Sequence, residues 1–187
     1  AIGILVASLR NAGHDVKVIC PLAHDAPATQ RERQEGLPDH IKRRLHLSAY
    51  APFQATRDGL RRMWNWKVAR PHPVVLREVS RAIEIGPDIV LLSAYLQHFK
   101  TVRQIGEIAK AANVPVLVGG PMFNVGAIAD AWAGLPGIAA VVGAEVDRDL
   151  PALVESVCTG SNLSTHQGVT LGGGQKGPGA PPLRNLD

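Results

Sequence analysis

The sequence contains few cysteines, few aromatic residues and no long apolar run. Its two cysteines, Cys20 and Cys158, form neither a C-x-x-C motif nor a metal-ligand spacing. Unpaired cysteines of this kind are typical of a reducing compartment, so we expect a cytoplasmic protein. The longest apolar runs reach about eight residues, far short of the roughly 20 that span a bilayer, and no secretory signal pattern is present. These absences argue against a membrane partner.

What the sequence does contain is typical of a folded domain. Hydrophobic residues make up 45% of the chain and charged residues 19%, which are globular values. The net charge of +4 is local, because lysine and arginine are concentrated between residues 31 and 70. A basic stretch is one sign of nucleic-acid binding. Trp64 and Trp66 in the same stretch instead favour an inserted helical segment with a buried side and a solvated basic face, so no nucleic-acid partner is predicted.

Apolar spacing along the chain alternates between helix and strand periods. Residues 2–11 have helical spacing and end at Gly13, residues 14–20 alternate as in a strand, and a helix after Pro73 stops at Gly86. The later segments are a strand at 89–92, a helix at 102–112, a strand at 114–118, a helix at 125–132, a strand at 138–142 and a helix at 150–157. This repetition predicts an α/β fold, a doubly wound, flavodoxin-like or Rossmann-like parallel sheet with helices on both faces.

The same pattern predicts the domain organisation. In the flavodoxin-like order a central strand precedes the first helix, so we expect the first strand to be missing from this chain. Residues 1–158 are expected to form one domain with a helical insertion at 21–72. Residues 159–187 are rich in glycine, proline and serine, which predicts a linker with one short strand at 168–171. The glycine run at 172–177 lacks the spacing of a phosphate loop and favours a hairpin turn.

The candidate site follows from where the strands end. In an open α/β sheet, ligands bind beyond the carboxyl ends of the strands. Small residues dominate these ends, which allows a large flat ligand to approach the main chain closely. The candidate cofactor-binding residues are Pro21 and Leu22, then Ser93, Ala94, Tyr95 and Gln97, then Gly119, Gly120 and Pro121, and finally Gly143, Ala144 and Glu145. No catalytic residue and no metal ligand is predicted among them.

The order of these strand ends resembles the cobalamin-binding domains found upstream of radical-SAM barrels. In that family an S-x-L motif is followed at a near-constant distance by a glycine pair. Here Ser93 and Gly119 are 26 positions apart, and Gly120 completes the pair. The segment 87–90, the 143–145 turn, the helix at 150–154 and the tail 180–187 are also similar to the family. The similarity covers about residues 1–20 and 73–187.

The resemblance implies a cobalamin-binding domain of a radical-SAM enzyme, with methyl transfer as the expected reaction. Ser93 is expected to contact the buried base of the cofactor, and Gly119 and Gly120 to admit its nucleotide tail. A bulky side chain at Gly120 is then expected to abolish cofactor retention and to leave the fold intact. The family's [4Fe-4S] cluster and S-adenosylmethionine would belong to a radical-SAM domain of the same polypeptide, because no C-x-x-x-C-x-x-C motif occurs here.

The chain also departs from the family, and two alternatives stay open. Tyr95 stands where leucine is usual, and no D-x-H motif is present, so no axial cobalt ligand is assigned. Residues 9–16 read like the first helix and second strand of the N-terminal domain of a GT-B glycosyltransferase, although the turn at Gly119 weighs against it. A free-standing cobalamin carrier or sensor is the other alternative. A cysteine triad soon after Asp187 would decide between the classes.

Overall fold

The computed structural model describes residues 2–24, 36–38, 40–41, 51–68, 70–143 and 149–179. Within these ranges the helices are α1 (Ile2–Asn11), α2 (Ala51–Val68), α3 (Pro73–Glu84), α4 (Phe99–Ala111), α5 (Gly126–Ala133) and α6 (Leu150–Thr159). The strands are β1 (Val90–Ser93), β2 (Val116–Gly119), β3 (Ile138–Val142) and β4 (Val169–Thr170). Short 3-10 turns follow β1 and β2 at Leu96–His98 and Pro121–Asn124, and another occurs at Pro21–His24.

The four strands form one open sheet in the order β1-β2-β3-β4. The first three strands are parallel, and β4 pairs with β3 in the antiparallel direction. A parallel pair needs a crossover connection, and helices α4 and α5 supply the two crossovers. The predicted α/β class with a mainly parallel sheet is therefore confirmed.

Helices cover both faces of the sheet, and each face has its own core. One core joins α3, α4 and α5 to the sheet through residues such as Ile83, Ile105 and Trp132. The other joins α1 and α6 to the opposite face through Leu9 and Leu153. Alternate strand residues contribute to the two cores, as the period of two in a strand requires.

Local signals explain where several of these helices begin and end. Pro73 occupies the first turn of α3, where its missing N–H costs no hydrogen bond. Gly13 and Gly86 follow α1 and α3 with φ of +92° and +80°, the left-handed conformation that glycine adopts at helix ends. Both stops were predicted from the sequence.

Residues 14–20 do not form the predicted strand. They contain neither helix nor paired strand, although Val16 packs against the α1–α6 core and Ile19 against the other core. A strand exists only when its main-chain groups pair with a neighbour. No described strand pairs with this segment. Its hydrogen bonds to α1 are from the His14 N–H to the Leu9 carbonyl at 3.1 Å and from the Arg10 guanidinium to the Val16 carbonyl at 3.0 Å. Alternating apolar residues were therefore not sufficient to form a strand here.

Residues 163–177 pack against the sheet and include the short strand predicted at 168–171, which the structure places at Val169–Thr170; the division of the chain into a domain and a linker at residue 159 stays a prediction. Val169 is buried against the α1–α6 core, because β4 extends the sheet beyond β3. The predicted hairpin is confirmed: the Leu171 N–H donates to the Gln175 carbonyl and the Gly177 N–H to the Val169 carbonyl, each at 2.8 Å. Residues 180–187 lie outside the described residues.

The insertion at 21–72 contains helix α2. None of the α2 side chains that the structure describes belongs to either core, and Leu60 and Met63 are exposed. The side chains of Trp64 and Trp66 lie outside the described part, so their predicted burial stays a prediction.

Candidate functional site

The carboxyl ends of β1, β2 and β3 meet at one edge of the sheet. Ser93 is the register partner of Gly119, and Gly119 is in turn the partner of Val142. The Ala94 N–H donates to the Gly119 carbonyl at 2.9 Å, which extends the pairing of β1 and β2 by one residue. The 26-residue spacing between Ser93 and Gly119 therefore corresponds to direct neighbours across two parallel strands.

The glycines at this edge differ in how much space surrounds them. A Cβ on Gly120 would collide with the Ala94 carbonyl oxygen, and a Cβ on Gly143 would collide with the Phe123 carbonyl. Gly120 has an extended backbone with φ of 162°, which any residue can adopt. Glycine is therefore needed at this position because there is no space for a side chain, not because of the backbone conformation. For Gly119 the nearest atom is the Val142 carbonyl oxygen at 3.9 Å, an ordinary contact. The protein's own packing requires glycine at 120 and 143 but not at 119.

The expectation that a bulky side chain at Gly120 leaves the fold intact is therefore wrong. The carbonyl of Ala94 is main chain in the turn after β1, and it cannot move without disturbing the pairing of β1 with β2. Close packing of backbones is sufficient to explain this glycine, whatever binds nearby.

One face of the sheet is open next to Ser93. Leu91 and Ser93 point to the α1–α6 face, because Leu91 is the register partner of Leu117, which lies in the core of that face. Leu91 nevertheless remains 38% exposed and Ser93 is exposed, whereas Leu117 is buried. Together with Gly119 they form an open strip, residues 91, 93 and 119, on the α1–α6 face.

The turn after β1 projects exposed side chains beside this strip. Tyr95 is 49% exposed, Leu96 59%, and Gln97 is also exposed. After the turn that follows β2, Val125 is 54% exposed. Large apolar side chains are thus exposed in the turns that follow β1 and β2.

His98 fixes the shape of this turn. Its Nδ1 accepts a hydrogen bond from the Tyr95 N–H at 3.2 Å, as glutamate or glutamine does in a capping box. Burial lowers the pKa of His98 below its ordinary value of 6.5, so the ring is neutral at neutral pH and Nδ1 is free to accept. The Gln97 amide nitrogen lies 3.5 Å from the other ring nitrogen, Nε2.

The remaining predicted residues are distributed as follows. Pro21 begins a turn that packs on α3, and the Leu22 side chain lies outside the described residues. Pro121 is exposed at the start of the turn after β2. Ala144 and Glu145 also lie outside the described residues. The structure therefore brings together residues 93–97 with 119–121, places Gly143 next to them along the edge, and gives no direct support for Pro21.

This edge also contains a cavity, which we call the hairpin cavity and which was not predicted from the sequence. It has a volume of about 270 Å³ and lies between the start of α5 and the hairpin that contains β4. Its lining comprises Phe123, Asn124, Gly126, Gly143, Gly168, Val169, Thr170, Lys176, Gly177, Pro178 and Gly179. Of the predicted residues, only Gly143 is among them. The glycine-rich stretch was the available signal, but its fold against the sheet edge was not foreseen.

The Cys158 thiol is not activated, and the described residues contain no candidate metal centre. Partial desolvation, and secondarily the charge of Asp88, raise the pKa of the Cys158 thiol even though the residue is exposed, whereas a reactive cysteine has a lowered pKa. Within the described ranges no group of three or more histidine, cysteine or acidic side chains is arranged to hold a metal ion. The same residues contain no helix of sufficient length and apolar character to cross a membrane.

Comparison of the chain with protein-family models, with curated proteins and with solved structures finds no match.

Proposed function

We propose that the carboxyl edge of β1 and β2 binds cobalamin. The observation that carries the proposal is the strip formed by residues 91, 93 and 119, where the sheet stays open and a glycine occurs that packing does not require. A glycine with free space above it permits a ligand to reach the main chain. The sequence resemblance implies that Ser93 contacts the buried base of the cofactor and that Gly119 and Gly120 admit its nucleotide tail.

The residues around the strip fit such a ligand. The Ser93 hydroxyl can donate to or accept from a buried base, and Gly119 leaves room for it. The exposed Tyr95, Leu96 and Val125 offer apolar contact to a flat macrocycle beyond the strand ends. Cobalamin, when bound, supplies methyl-transfer chemistry at cobalt, and this chain's share is to bind and orient the cofactor.

The finer topology that we propose is flavodoxin-like, with one more strand between β1 and residues 14–20. The Val90 N–H donates to the carbonyl of Pro115, just before β2, and the Ala94 N–H donates to Gly119. The alternating residues Leu91 and Ser93 therefore direct their N–H groups away from β2. No described residue pairs with those groups. A strand at this edge would satisfy them and would also give residues 14–20 a neighbour.

We further propose that the domain serves a radical-SAM enzyme of the methyltransferase type. The [4Fe-4S] cluster and S-adenosylmethionine would then be bound by a radical-SAM domain of the same polypeptide, as the sequence resemblance implies. The described residues fit only the cobalamin part of this proposal, because Cys20 and Cys158 are single exposed cysteines far apart in sequence.

The test is corrinoid binding by the whole polypeptide and by two glycine variants. Hydroxocobalamin is added, free cofactor is removed by gel filtration, and retained corrinoid is measured by its visible absorbance. Gly119→Val should reduce affinity by at least about tenfold, or 1.4 kcal/mol, because its side chain enters the strip. Gly134→Val is the matched control: it follows α5 in a right-handed conformation, where an added Cβ meets only ordinary contacts.

Failure of the unmodified protein to retain corrinoid, or equal retention by Gly119→Val and Gly134→Val, would overturn the proposed site. Binding of a nucleotide sugar instead of a corrinoid would favour the glycosyltransferase alternative.

A further inference from the structure

Residues 95–97 form a turn between two fixed points of the carboxyl edge. Before the turn, Ala94 is buried and its N–H donates to the Gly119 carbonyl at 2.9 Å. After it, Val102 in the first part of α4 is buried in the core. The three side chains of the turn itself are exposed. Packing therefore contributes little to the shape of the turn, and its hydrogen bonds matter more.

His98 takes part in those hydrogen bonds through both its main chain and its ring. Its N–H donates to the Tyr95 carbonyl at 2.8 Å, and its Nδ1 accepts from the Tyr95 N–H at 3.2 Å. The rings of Tyr95 and His98 also meet edge to face, with centroids 6.0 Å apart. The Gln97 amide nitrogen lies 3.5 Å from Nε2. One half-buried ring thus contacts the first and the last residue of the turn.

Only the neutral form of His98 can hold the turn in this way. Protonation places a hydrogen on Nδ1, which then faces the Tyr95 N–H as a second donor. His98 also immediately precedes α4, and the amino end of a helix disfavours a positive charge. Burial of the ring lowers the pKa of His98 below its ordinary 6.5, which agrees with this preference for the neutral form.

The helices packed at this edge offer the protonated ring no unpaired carboxylate among their described residues. Three of their acidic side chains are in ion pairs: Glu78 with Arg81 in α3, Glu107 with Arg103 in α4, and Asp130 of α5 with Lys176. Glu84, the other acidic residue of α3, ends that helix shortly before β1 and so lies at the opposite edge of the sheet. Lys100, in the first turn of α4, is a cation and opposes protonation of the ring.

We propose that His98 is a positioning residue of the cofactor site: its neutral ring holds Tyr95 and Gln97 where they contact the corrinoid, and its protonation releases them. The inference rests on the proposed function, because it takes the corrinoid as the ligand of this edge. Affinity should be constant above about pH 6.5, where the ring is neutral, and should fall at lower pH as His98 takes up a proton. The corrinoid is then retained at neutral pH and bound more weakly in acid.

The experiment is a pH profile of corrinoid affinity for the whole polypeptide. Hydroxocobalamin binding is measured between pH 7 and pH 5, and NMR of the corrinoid-free protein follows the His98 ring and the Tyr95 amide over the same range. The two NMR signals should titrate together. The affinity of the unmodified protein should fall about threefold to tenfold across that titration, which corresponds to the loss of one hydrogen bond.

Two histidine variants provide the controls. His98→Gln keeps an acceptor for the Tyr95 N–H that does not titrate, so its affinity at pH 7 should stay within about twofold and should not change with pH. His166→Gln removes a histidine that bonds Ser156 beside the β4 hairpin, and it should keep the pH profile of the unmodified protein. Any titration of the cofactor itself affects all three proteins equally.

Three results would count against the account, and they differ in what they overturn. An identical pH profile in His98→Gln and the unmodified protein would overturn the positioning role alone. A loss of affinity of about tenfold or more in His98→Gln at pH 7 would also overturn it, because it would require a contact that glutamine cannot supply. Absence of corrinoid binding at every pH would overturn the proposed function, and this proposal with it.

Discussion

β1 and β2 are neighbours in one sheet, yet the protein covers them very differently. The apolar residues of β2 are buried on both faces, between α4 and α5 on one side and α1 and α6 on the other. In β1 the residues facing the α3–α4 layer are half-buried, and those facing the α1–α6 layer are exposed. A parallel sheet is normally covered on both faces. The exposed half of β1 therefore marks where the fold leaves room for something else, and the proposed cofactor site includes it.

The two glycines at the end of β2 should separate packing from function most strongly. Gly120→Val should lower the free energy of unfolding by about 3 kcal/mol or more, because its side chain collides with the Ala94 carbonyl. Gly119→Val should change it by less than about 1 kcal/mol, since valine suits a strand and finds space there. Urea denaturation of both variants measures this difference. Equal destabilisation by the two variants would show that packing requires glycine at both positions.

A pair of leucines in direct register sharpens the comparison between the strands. Leu117→Ala should cost about 2–5 kcal/mol, as expected for a buried leucine. Leu91→Ala, on the same face one strand away, should cost only about 1 kcal/mol because 38% of the side chain is already exposed. Chemical denaturation again gives both values. A cost for Leu91→Ala as large as that for Leu117→Ala would contradict the open strip.

The stability that the turn after β1 contributes should depend on pH, and this effect should be smaller than those of the glycine and leucine substitutions. The pKa of His98 is lower in the folded state than its ordinary 6.5, so the unfolded state binds its proton more readily. The contribution of His98 is therefore complete above about pH 6.5 and is lost as the pH falls below it. Protonation also removes the Nδ1 acceptor for the Tyr95 N–H, a hydrogen bond of about 0.5–1.5 kcal/mol.

His98→Gln is the matched control for this effect. Glutamine keeps an acceptor for the Tyr95 N–H but does not titrate, so its stability should not change between pH 7 and pH 5 through this group. An identical pH dependence in the unmodified protein and in His98→Gln would assign the titration to another residue.

The sequence was informative wherever local chemistry decides the structure. Apolar periodicity located α1, α3 to α6 and β1 to β3, and glycines at 13 and 86 located two helix ends. Ser93 and Gly119, whose spacing carries the family resemblance, are register partners on adjacent strands. These features depend on neighbours along the chain or on the regular register of adjacent strands.

Features that depend on distant partners were not predictable. Residues 14–20 have a strand pattern but lack a paired neighbour among the described residues, and the short strand predicted at 168–171 has no local signal that it pairs with β3. The difference between Gly119 and Gly120 depends on where the Ala94 carbonyl lies, which no local pattern encodes. The hairpin cavity likewise exists only because the glycine-rich segment folds back onto the start of α5.

The central claim is that cobalamin binds at β1 and β2, on the open part of the edge. Hydrogen exchange of the whole polypeptide, measured with and without hydroxocobalamin, tests this claim most directly. We predict slower exchange at residues 93–97 and 119–121 when the corrinoid is present, with residues 168–179 unchanged. Protection confined to residues 168–179, or no change anywhere at a saturating concentration, would contradict the account.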